Sequence, residues 1–124
     1  MSEKRPVSEK RQRADRKGRE AEAQAAQYLM LQGFEIIGER RKTRLGEIDL
    51  IARKTGLVVF AEVKWRARKA DLATAIDEHR LARVAAAVEA VAHDYAAPTD
   101  DIRIDVILLS LGTRPDHIEN AWMP

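Results

Sequence analysis

The 124-residue chain contains no cysteine, which excludes disulfides and thiolate metal sites. Imidazole is scarce as well: His79, His93 and His117 are the three histidines, and they show no ligand spacing. Each is expected at the surface or as a satisfied core group. No apolar run approaches the roughly 20 residues needed to cross a bilayer, and the N-terminus lacks a hydrophobic signal core. The expectation is a cytoplasmic protein with no membrane partner. There is no internal repeat, and low complexity is confined to a basic N-terminus.

The length suits one domain with a real core and little room for a second. Hydrophobic residues make up 45% and charged residues 34%, the balance of a globular protein with a heavily charged surface. The net charge of +2 hides an asymmetry. Residues 1–19 carry eight Lys and Arg against three acids, a net +5, so the remainder carries −3. Residues 1–17 therefore read as a basic, flexible arm ahead of a single domain over 18–124. Such an arm either solubilises the chain or neutralises nucleic-acid phosphates without reading sequence.

The domain is organised around Gly46–Arg66, GEIDLIARKTGLVVFAEVKWR. From Glu47 to Ile51 acidic and apolar residues alternate with the period of a strand, so Ile48 and Leu50 are expected on one buried face and Asp49 on the other. Lys54-Thr55-Gly56 supplies turn chemistry, and Leu57–Phe60 restarts an extended run. Glu62 and Lys64 then share one face of that strand, with Val63 on the other. A hairpin brings Asp49 beside them. Two carboxylates and an ammonium are costly to desolvate without metal, substrate or solvent. The plainer reading is a solvated outer face. Against it, the run Leu57–Val63 is nearly continuous in apolar residues, as for a strand covered on both sides, which puts the charges in a cleft near its end.

Gly18–Gln32 has helical periodicity, with Gly33 placed to end the helix. Glu22 falls on or beside its buried stripe, where a glutamate needs a partner. Phe34–Ile37 reads as a short strand, followed by a loop holding Glu39, Arg40, Arg41, Lys42 and Arg44, and so as positive charge at the mouth of the acidic hairpin. After Lys64, Trp65 is interleaved with Arg66, Arg68 and Lys69; the ring is read chiefly as packing on the sheet, with base stacking as the alternative. Ala73–Tyr95 reads as a long helix, with Arg80 near the edge of its packing face. Ile102–Leu111 suits another strand, with Asp105 unusual in its middle, and His117–Trp122 a weak last one. The order predicts an α/β sandwich: an antiparallel meander, a helical crossover, and a fourth strand parallel to the third, in a small mixed sheet flanked by helices.

The motifs GEIDLIA (Gly46–Ala52), VFAEVKWR (Val59–Arg66) and GREAEAQAAQYL (Gly18–Leu29) resemble the YraN-type family, UPF0102. The resemblance covers about Gly18 to Trp122. It implies a restriction-endonuclease-like core related to the Holliday junction resolvases of the PD-(D/E)XK nuclease superfamily. By position, it implies that Asp49, Glu62 and the Val63 carbonyl hold a divalent cation, that Lys64 is the motif lysine, and that Glu22 is the helix acid completing the site. Arg80 stands where the family offers a lysine, and Arg103-Ile104-Asp105 resembles its Arg-Phe-Asp.

An all-oxygen ligand set favours Mg²⁺ or Mn²⁺ over Zn²⁺. Acids that hold cations, rimmed by Arg41, Lys42, Arg44, Arg66, Arg68, Lys69 and Arg80 to hold phosphates, suit a phosphodiester site. The expectation is a metal-dependent endonuclease-like protein acting on DNA, branched or junction DNA included, with a homodimer favoured by a two-fold symmetric junction. The alternatives are a nucleic-acid-binding module without turnover and, less favoured, a purely structural interaction protein.

Overall fold

The computed structural model describes residues 6–122. Its elements follow in the order α1 (Pro6–Leu31), β1 (Glu35–Lys42), β2 (Glu47–Lys54), β3 (Leu57–Arg66), α2 (Glu78–Val91), β4 (Asp101–Ser110) and β5 (Asp116–Ile118). Short 3-10 turns at Lys69–Thr74 and Ala92–Asp94 flank α2. The five strands form one sheet in chain order. β1, β2 and β3 are antiparallel neighbours, β4 is parallel to β3, and β5 returns antiparallel to β4. This is the expected α/β fold, a meander followed by a parallel strand. Among the described residues, no helix is long and apolar enough to cross a membrane.

Each face of the sheet packs against one helix, and the alternation of side chains along β3 and β4 decides which. Val58, Phe60, Ile104, Val106 and Leu108 meet Leu81, Val84, Val88 and Val91 of α2. Val59, Ala61, Ile107 and Leu109 meet Ala21, Ala25 and Leu29 of α1. Burial on both sides is why β3 reads as an unbroken apolar run, as parallel-paired strands do. Gly33 closes α1 in a left-handed conformation, φ +93, which a residue without Cβ adopts freely.

The elements differ from expectation at four places, one of them the last strand, which spans Asp116–Ile118 rather than His117–Trp122. α1 begins at Pro6 rather than near Gly18, so residues 6–17, expected as an arm, continue the helix, exposed from Glu9 to Lys17. Proline suits a first helical position, and the Glu, Lys, Arg, Gln and Ala that follow are good helix formers, so a helix anchored at Ala21, Ala25 and Leu29 propagates outward. Lys4 and Arg5 of the arm lie outside the described residues. β1 runs on to Lys42, so Glu39–Lys42, expected in a loop, belong to a strand paired with β2; an edge strand tolerates charges that obscure its period. α2 starts at Glu78 rather than Ala73 because Asp77 caps it, accepting the His79 backbone N–H at 2.8 Å.

Asp105, fully buried in β4, is the hub of a polar network at the other sheet edge. Arg103 donates to its two oxygens at 2.9 Å each, His117 Nε2 lies 2.7 Å away, and the Asn120 backbone N–H donates at 2.9 Å. Tyr28 of α1 reaches His117 Nδ1 at 3.0 Å, so the network ties α1 and the C-terminal segment to β4. Burial pushes the Asp105 carboxyl pKa up, but the bonds from His117, Arg103 and Asn120 outweigh it and hold it below the usual carboxylate range. Asp105→Ala takes the main acceptor from the half-buried Arg103, which keeps only Glu119 at 3.6 Å, and leaves the His117 Nε2 without its carboxylate. It is expected to lose about 3–5 kcal/mol in urea unfolding at pH 7; a loss under about 1 kcal/mol would show that the network carries little.

Candidate active site

The regular ladder between β2 and β3 ends at Leu50↔Ala61, one residue before Asp49. There the Val63 backbone N–H donates to Asp49 Oδ2 at 2.8 Å, so a carboxylate replaces the next carbonyl of the ladder. The irregularity breaks the expected alternation. Ile48 packs with the α2 cluster while Leu50 packs with the α1 cluster, instead of sharing one face. An extended residue directs its N–H and C=O to the same neighbour, so the Val63 carbonyl faces the edge on which Asp49 lies. Burial is the largest cause pushing the Asp49 pKa up to about 7; the Val63 bond opposes it, and the charges of Glu22, Glu62 and Glu47 add to it.

Glu62 is buried at 6% exposure, with its side chain on the α2 side of β3. Its Oε1 lies 3.5 Å from Lys64 Nζ and 3.4 Å from Arg80 Nη2. Arg80 reaches it from the first turn of α2, and the approach of that helix depends on Gly46: a Cβ there would sit 3.0 Å from the Arg83 carbonyl oxygen. Burial lowers the Lys64 pKa, Glu62 raises it, Arg80 lowers it again and Asp49 raises it. Asp49 and Glu62 line one cavity of about 230 Å³ with Gly46, Glu47, Arg80 and Arg83.

Glu22 approaches from α1 and is clasped by Arg40, whose Nε donates to Oε1 at 2.8 Å. It is the partner its place on the buried stripe required. Among the described residues, no group of three or more His, Cys, Asp or Glu is arranged to hold a metal ion. Glu22 thus stands near Asp49 without joining Asp49 and Glu62 in one ligand set.

The basic rim divides. Arg80 sits on Glu62, and Lys42 lines a neighbouring cavity with Glu22, Arg40 and Glu47. Arg41 is instead held beyond the C-terminal end of α2, 3.0 Å from Asp94 and 3.3 Å from the Tyr95 hydroxyl, and Arg44 lies beside Ala90. Arg66 donates to the Trp65 carbonyl at 2.7 Å, Arg68 pairs with Asp71 at 3.2 Å, and Lys69 is exposed. Trp65 packs on the α1 cluster, with Lys17 Nζ 4.9 Å from its ring centroid. Sequence reasoning placed Arg40 at the mouth of the hairpin but not against Glu22, and missed Glu47 and Arg83 as site neighbours. Glu47 was within reach, being two residues from Asp49; the Arg40 contact and Arg83 are brought in by strand register and by the close approach of α2.

The sequence matches the model of "Uncharacterised protein family UPF0102" over residues 21–109. The chain belongs to this family. Among the UPF0102 proteins it is similar to one from Erythrobacter litoralis, 57% identical over 93% of this chain and 99% of the relative. Another, from Sphingopyxis alaskensis, is 51% identical over 90% and 96%, and one from Agrobacterium fabrum is 39% identical over 93% and 95%. The UPF0102 match spans Glu22, Asp49, Glu62, Lys64 and Arg80, and omits the exposed first part of α1 and β5.

Proposed function

We propose that this UPF0102 protein is a Mg²⁺- or Mn²⁺-dependent nuclease that hydrolyses phosphodiester bonds in DNA, branched or junction DNA included. One observation carries the reading: a half-buried carboxyl, Asp49, pushed up to about 7 by desolvation and by acidic neighbours, shares a cavity with the buried acid Glu62. A carboxylate disfavoured in that way is relieved by a cation, and oxygen donors alone suit a hard one. Asp49, Glu62 and the Val63 carbonyl would hold it. Once bound, it would polarise a phosphoryl oxygen and acidify a water.

The chain's own groups supply the rest. Lys64 stays paired with Glu62, which opposes loss of its proton, so its role is to balance charge building on the phosphate rather than to act as base. Arg80, half-exposed at the cavity, clamps phosphate as a permanent cation. Lys10, Arg11, Arg13 and Arg16 on the exposed part of α1 extend the contact along the backbone. Action on DNA implies a cytoplasmic location, and a two-fold symmetric junction a homodimer.

Binding without turnover is the second reading. It is favoured by the absence of a three-acid group among the described residues and by the two cations already on Glu62. A gel assay with Mn²⁺ or Mg²⁺ across duplex, single-stranded, flap and four-way DNA separates the two. Wild type is expected to cut at least one of them, and Lys64→Ala to cut at least about a hundredfold slower while binding as before. Salt-sensitive binding with no product under either metal leaves the binding module. No affinity at low salt removes both readings.

A further inference from the structure

Among the described residues near the site, Arg40 alone has an unusual backbone. Its φ of 49 lies in the left-handed region, which costs a non-glycine residue and is maintained only where the surroundings enforce it. The strand register places it opposite Asp49, between the pairs Glu39↔Leu50 and Arg41↔Ile48. From there its guanidinium takes Glu22 at 2.8 Å, although Glu22 is the acid that weighs most on the Asp49 carboxyl. Both side chains line a cavity of about 360 Å³ beside the acidic one, with Arg19, Lys42, Asp15 and Glu47. Arg40 is 39% exposed, open to an incoming strand, and Glu22 18%.

We infer that Arg40 is a substrate-operated latch: it holds Glu22 out of the cation site until a phosphate of the bound DNA strand takes its place, which frees Glu22 to complete the ligand set with Asp49 and Glu62. The inference rests on the metal-site reading proposed above. A guanidinium exchanges a carboxylate for a phosphate without changing its own charge, since the same planar fork fits both anions. The latch makes cation binding and DNA binding mutually reinforcing, because each is linked to the same Glu22–Arg40 contact. It also leaves the free protein with an incomplete site and so guards against cleavage without a properly seated strand.

The test is a double-mutant cycle on Mn²⁺ affinity, read by electron paramagnetic resonance on the full chain without nucleic acid. Arg40→Ala is expected to tighten Mn²⁺ binding about tenfold, and the gain to vanish when Glu22→Gln is also present. Arg40→Gly, which relieves the left-handed backbone, should give the same gain with no loss of thermal stability and so guards against a folding artefact. In EDTA, Arg40→Ala should weaken binding of a four-way junction severalfold. An equal gain with and without Glu22 would show only the removal of a nearby positive charge and would overturn the latch; no gain, or unchanged junction binding, would do the same. If wild type binds Mn²⁺ but the cycle shows no coupling, only the latch fails. If no variant binds Mn²⁺, the metal-site reading falls with it.

Discussion

Asp49→Asn is expected to resist unfolding better than the wild type at pH 8 while, on the proposed metal-site reading, weakening Mn²⁺ binding and abolishing cleavage. The asparagine keeps an oxygen for the Val63 N–H, now 2.8 Å from the carboxylate, and removes a charge that the fold disfavours. The sign follows from the two states. The unfolded chain loses the Asp49 proton near 3.8 and the folded protein near 7, so between them folding takes up a proton and stability falls as pH rises. Below the unfolded value the penalty is absent; above about 7 it is complete. The difference between those two values corresponds to on the order of 4 kcal/mol. Urea unfolding in EDTA should therefore find the variant more stable at pH 8 and the two proteins converging near pH 4. In wild type, Mn²⁺ affinity should climb about tenfold per pH unit toward 7 and then level, since the ion displaces that proton. The variant should lack the climb and bind at least about a hundredfold more weakly. An Asp49→Asn protein less stable than wild type at pH 8 would sink the idea that this carboxyl is held against its charge.

Glu62→Ala should act in the opposite sense on stability and in the same sense on function. Glu62 is the counter-charge of Lys64, whose side chain is 12% exposed, and of Arg80, which is 57% exposed. Arg80 can turn to solvent, but Lys64 cannot, so the truncation strands a buried ammonium at about 3 kcal/mol. Glu62 is also the main influence raising the Lys64 pKa, so its loss deepens the lowering that burial imposes. A lysine with a folded pKa below its unfolded value costs stability while charged, and the cost recedes as pH rises through the folded pKa. The deficit of Glu62→Ala should accordingly shrink with increasing pH. Adding Lys64→Met should restore part of the stability and none of the cleavage, a separation that double-mutant analysis reads directly. If Glu62→Ala matched wild type in both stability and Mn²⁺ binding, neither the ion pair nor the ligand role would stand.

Much of this site was legible in the chain because its signals are local. The two strands of Gly46–Arg66, the turn at Lys54–Gly56, and the placement of Glu62 and Lys64 on one face all follow from a two-residue period. Glu22 announced itself as a charge on an apolar stripe, although its partner, Arg40, did not. The split of Ile48 and Leu50 between opposite clusters was hidden, since period counting assumes a regular ladder and Asp49 interrupts it with a side-chain acceptor. Arg41 and Arg44 looked equivalent to Lys42 in sequence. The pairing of β1 with β2 and the position of α2 separate them.

The order of helices and strands, the covered central strand and the candidate acids were determined by the sequence itself, because apolar period, turn residues and misplaced charges are properties of neighbours along the chain. Only the tertiary structure decided which cation each acid meets, how far Asp49 is pushed toward neutrality, and that Asp105 is bonded by Arg103, His117 and Asn120. Those outcomes depend on burial and on contacts between residues far apart in sequence, and electrostatic energies respond to distance and desolvation that a one-dimensional pattern does not carry.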